Sequence, residues 1–83
     1  MVDTARDEPR LARRVGAYIK TARLASGLPR DQVARSAGLT ARELSGYEHG
    51  RKLPSRGDLR ALAGACGMHL DELVPKDLVE SLT

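Results

Sequence analysis

The chain has no Phe and no Trp, and Tyr18 and Tyr47 are its only aromatic residues. Its core must therefore be aliphatic, and the lack of aromatic platforms argues against a sheet that stacks single-stranded bases. A single cysteine, Cys66, cannot form an internal disulfide. No run approaches the ~18 apolar residues of a membrane-spanning helix. Asp3, Asp7, Glu8 and Pro9 stand where a secretory signal would be apolar, so the expected location is cytoplasmic, away from membranes. His69 has no second His or Cys at ligand spacing, which speaks against a metal site. With no nucleophile-base arrangement, phosphate-cradling glycine loop or paired carboxylates, neither an enzyme nor a cofactor is expected.

What is present is one small globular domain: 83 residues, 41% apolar and 30% charged. Net charge is only +3 but unevenly spread, with residues 1–60 basic and residues 61–83 carrying four acids against Lys76 alone. A basic body with an acidic end offers a polyanion a preferred face, the plain alternative being chance asymmetry on a solvated surface. The preponderance of Arg over Lys, with abundant Ala and Gly, hints at a GC-rich bacterial genome.

The apolar spacing is helical throughout, and the expected fold is all-α with five helices. Residues 1–8 lack periodicity and read as a flexible arm. Pro9 then suits a first helical position, with Leu11, Val15, Ile19 and Ala22 facing inward until Ser26-Gly27. A second, two-turn helix is expected over about 30–37, presenting Val33, Ala34 and Ala37 before Gly38. A third, over about 41–48, opens with Thr40 and Glu43 as a capping box and buries Leu44 and Tyr47. Ser55 and Asp58 cap a fourth helix with Leu59, Leu62, Ala63 and Cys66 inside. Leu70, Leu73 and Val74 form a short fifth helix that ends the domain at Pro75. Residues 76–83 remain as a tail, a further turn or a dimer segment.

Two short helices meeting at a fixed turn are how a helix is placed in a DNA groove. The spacing Ala34-x3-Gly38-x-Thr40-x3-Leu44-x3-Glu48-x-Gly50, followed by Pro54-Ser55, Leu59, Leu62-Ala63, Gly67 and Leu70, resembles the phage repressor (Cro and Xre) helix-turn-helix family over roughly Val15 to Val74. That resemblance implies a bacterial transcriptional regulator at the nucleoid that binds double-stranded DNA, typically as a homodimer. It also implies an internal ion pair between Arg23 and Glu48, the bland alternative being two independent surface charges.

The positions that such a family uses for base readout are Ala41, Arg42, Ser45 and Gly46. Arg42 is the main specificity candidate, because a guanidinium can bridge O6 and N7 of guanine. A phosphate contact or a solvated arginine is its simpler role. Ser45 bonds almost any base edge, and Ala41 can touch a thymine methyl. Gly46 implies either close approach to DNA or tight packing against the second helix. Phosphate contacts are expected from Arg30, His49, Arg51, Lys52 and Arg56, whereas Arg35 and Arg60 read as solvated, as do Arg10, Arg13 and Arg14, whose alternative is an arm that touches DNA. Leu70, Val74, Leu78, Val79 and Leu82 offer apolar surface for a homodimer or for packing within the chain. Two rival functions stand beside the regulator: an antitoxin that binds both operator DNA and a toxin partner, and a helix-turn-helix reused as a protein-interaction module.

Overall fold

Helix α1 (Thr4–Ser26) buries Ala12, Val15, Ile19 and Ala22 along one face, the recurrence of an amphipathic helix. The computed structural model describes residues 4–82, with side chains described from Pro9 onward. Pro9 does not open this helix but lies inside it. The expected arm is thus helical from Thr4, while residues 1–3 and Thr83 lie outside the described residues. The turn before Pro9 has no core-facing period, so a search for buried stripes does not detect it. Ala, Arg and Glu, which the sequence has there, are good helix formers. At ~1.5 Å per residue, α1 accounts for most of the 40 Å long axis of a body 23 by 19 Å in cross-section.

Helices α2 (Arg30–Ser36) and α3 (Ala41–Glu48) are joined by the turn that Gly38 makes possible. Its φ of +74° lies in the left-handed region, where a side chain is strained. The amide of Leu39 donates to the Ala34 carbonyl at 2.8 Å and that of Gly38 to Arg35 at 3.1 Å, closing α2 with a Schellman motif. This makes Ala37 the cap, so α2 stops at Ser36. The next helix opens on Thr40, whose hydroxyl accepts from the Glu43 amide while the Glu43 carboxylate accepts from the Thr40 amide, both at 3.0 Å. That pairing lowers the Glu43 pKa, chiefly through the backbone donor, and explains Glu43 without DNA.

Helices α4 (Arg56–Ala65), α5 (Leu70–Leu73) and α6 (Lys76–Glu80) complete the six helices among the described residues. Ser55 caps α4 by accepting from the Asp58 amide at 3.0 Å. One helix more than expected arises because the tail folds back as α6. Leu73, Val74, Leu78 and Val79 are all buried, and Leu70 and Leu82 pack against the same core. The apolar residues considered for a dimer are therefore largely spent inside the chain, since an aliphatic core with so little aromatic volume needs them. Ile19, Leu44, Leu59, Leu62, Val15, Val33 and Val74 form its fully buried centre. Cys66 caps α4 and packs half-buried against this core, where burial raises its thiol pKa.

Candidate nucleic-acid interface

Helix α3 has two faces with different tasks. Leu44, Tyr47 and Glu48 are buried, while Ala41, Arg42 and His49 are exposed and Ser45 and Gly46 partly so. At about 100° per residue, positions 41, 42, 45, 46 and 49 fall within an arc of about 140°, opposite the buried set. Four of these five are the positions expected to read bases, and the helix does bring them onto one outward surface.

The inner face is fixed to α1 at very short range. A Cβ on Gly16 would stand 2.2 Å from the Tyr47 carbonyl oxygen and 2.9 Å from that of Glu48, so α1 lies directly against the α3 backbone. Gly50, at φ +71°, ends α3, and a Cβ there would lie 2.6 Å from Arg13 Cγ. Neither closeness follows a periodic pattern. A glycine in the middle of the buried stripe of α1, where alanine would favour the helix, was the available signal for Gly16.

Side chains strengthen the same joint. Arg23 donates from Nε to Glu48 Oε2 at 2.6 Å and from Nη2 to Oε1 at 3.1 Å, with both residues 8% exposed. The bidentate bond to Glu48 raises the Arg23 pKa, against the opposing effect of burial. Arg30 joins the pair: its Nη2 lies 3.4 Å from Glu48 Oε1, and its buried Nε has no hydrogen-bond partner among the described residues. Sequence reasoning gave Arg30 only a phosphate role and missed this tie, because it links two helices by side-chain reach alone.

Tyr47 holds the other side of α3 by donating its hydroxyl to Asp58 Oδ2 at 2.6 Å. Burial first, then the bond and charge of Asp58, push its pKa from 10.0 up to about 12. The folded state thus retains the phenol proton more tightly than the unfolded chain. The associated stability is complete below pH 10 and is lost as pH rises toward 12. Tyr47→Phe is expected to lower stability at neutral pH by about 1.5 kcal/mol. It should also flatten the alkaline decline relative to the parent, which denaturant titrations at paired pH values will measure.

Around the outer arc, His49 caps α3 and donates from Nδ1 to the Ser45 carbonyl at 2.7 Å, with Ser45 Oγ 3.3 Å away. Arg51, Lys52 and Arg56 are exposed in the loop and at the start of α4. The Arg51 amide donates to the Gly46 carbonyl at 2.9 Å, so the loop leaves α3 in a fixed direction. Arg10, Arg14, Arg35 and Arg60 are exposed, and Arg13 lies against Gly50. The packing explanation for Gly46 does not hold: a Cβ there would meet nothing within 4 Å among the described residues.

Among the described residues, no group of three His, Cys, Asp or Glu side chains could hold a metal ion, and no helix is long and apolar enough to cross a membrane. No curated protein matches the chain significantly. A family model described as a helix-turn-helix domain matches residues 14–75, from the middle of α1 to Pro75. The matched span contains the α2-turn-α3 unit and, of the joint that holds α3, Gly16, Arg23, Arg30, Tyr47, Glu48, Gly50 and Asp58. The chain therefore belongs to the Cro/Xre-like helix-turn-helix domain family, a family of DNA-binding domains.

Proposed function

We propose that this protein is a sequence-specific regulator of bacterial transcription that inserts α3 into the major groove of double-stranded DNA and binds paired half-sites as a homodimer. The observation that carries this reading is the division of α3. One arc is locked to α1 and α4, and the opposite arc presents Arg42, Ala41, Ser45 and Gly46 outward. Arg42 supplies the bidentate donor for guanine, and Ser45 and Ala41 meet neighbouring base edges. Arg51, Lys52, Arg56 and His49 flank that arc and contact phosphates. Arg30 does so with the part of its guanidinium not directed at Glu48.

Selection from random-sequence duplexes at low salt tests the proposal and returns the operator together with its half-site spacing. A single recovered half-site would remove the homodimer, and failure to enrich any sequence would remove the regulator. For the enriched duplex, contact with ~6–10 phosphates predicts a loss of ~10³–10⁵ in affinity between roughly 50 and 200 mM salt. Arg42→Ala should relax the preference at one base pair by ~1–3 kcal/mol, whereas Arg51→Ala should weaken all duplexes alike and reduce the salt slope by about 1. Equal behaviour of the two variants would contradict these assignments.

A further inference from the structure

Gly16 and Gly50 are demanded by the fold, because a Cβ at either would stand within 3 Å of α1 or α3 atoms. Gly46 is not. It lies within α3, has no positive φ, and an added Cβ would find open space among the described residues. Alanine would make the better helix there, so the folded chain alone gains nothing from leaving the methyl out. The neighbours on the same arc supply the missing reason. Ala41 ends at Cβ and Ser45 one atom beyond it, and side chains that short reach base edges only when the helix backbone itself lies deep in the groove.

We propose that the outer arc of α3 lies close against the floor of the major groove and that Gly46, at the edge of that arc beside Arg42, leaves out a Cβ that would hold the backbone away from it. The missing Cβ provides the clearance that lets Ala41 and Ser45 touch bases beside Arg42. This rests on the groove-binding function above and makes Gly46 a specificity-determining residue through what it leaves out. The depth matters only in the specific complex. Sequence-independent binding is held by phosphates and does not require α3 to reach the groove floor.

The test compares the parent, Gly46→Ala and Gly64→Ala on the selected duplex and on a scrambled duplex of equal length, with a thermal melt of each protein. Gly64 lies in α4 with equally open surroundings and serves as the control. Both variants should melt about 4–8 °C above the parent. Gly46→Ala should bind the selected duplex at least tenfold more weakly and the scrambled one unchanged, while Gly64→Ala binds both like the parent. Parental affinity of Gly46→Ala for the selected duplex overturns the clearance and leaves groove binding standing. A lower melting temperature for Gly46→Ala, or an equal loss in both variants, also overturns it. A parent with no preferred duplex overturns groove binding and the clearance together.

Discussion

Gly16→Ala is expected to lower the melting temperature by roughly 12–24 °C, although alanine is the better helix former by about 1 kcal/mol. The sign is set by the partner atoms. The new Cβ would meet the carbonyl oxygens of Tyr47 and Glu48 at 2.2 and 2.9 Å, and these are backbone atoms that cannot rotate aside. α1 and α3 must separate instead, opening the core around Val15, Ile19 and Leu44. Net of that helix-forming gain, overpacking of this kind costs about 3 kcal/mol, which a domain of this size reports as 4–8 °C for each ~1 kcal/mol. Because the displaced element is α3, DNA affinity should fall even well below the melting temperature. A circular-dichroism melt at or above that of the parent would refute the packing of these two helices.

Glu48→Ala should be comparably severe, at roughly 3–5 kcal/mol, because it strands a buried guanidinium. Arg23 would lose both of its bonds, and Arg30 the carboxylate toward which it points. With total stabilities near 5–15 kcal/mol, such a loss leaves a measurable unfolded fraction at ordinary temperature. The pair is costly to break and not costly to replace: Arg23→Met combined with Glu48→Leu should recover much of the stability, since apolar pairs of similar volume commonly substitute for buried ion pairs. Urea titrations of the single and double variants measure both statements. A single variant indistinguishable from the parent would mean that the charges are independent.

The two variants act on one joint, yet that joint was unequally legible in the sequence. Thr40, Glu43 and Gly38 announce themselves because caps and turns are local and their chemistry follows from spacing. Arg23 and Glu48, 25 residues apart, were paired only through family resemblance. The close packing at Gly16, the tie of Arg30 to Glu48 and the Tyr47–Asp58 bond are not legible in the sequence, since each depends on how two helices approach, a quantity that periodicity does not encode. The C-terminal apolar residues were recognised as apolar, but their pattern is the same whether they are buried within one chain or between two. The burial of Val74, Leu78 and Val79, with Leu70 and Leu82 packed against the same core, removes the most direct sequence argument for a dimer surface. On the outer arc of α3, Arg42 could be singled out from side-chain chemistry alone, whereas the choice between the two readings of Gly46 required knowing that nothing packs there.

The capping box that starts α3 has a consequence for how such a domain can change over generations. Thr40 and Glu43 satisfy the first amides of the helix using residues outside the 41, 42, 45 and 46 set. The anchors at its other end, Tyr47, Glu48 and Gly50, are likewise distinct from that set. Substitutions at Ala41, Arg42 and Ser45 can therefore drift almost free of selection for folding, each within about 0.5 kcal/mol in stability. A duplicated copy could change what this outer arc contacts in few steps, with its inherited scaffold untouched.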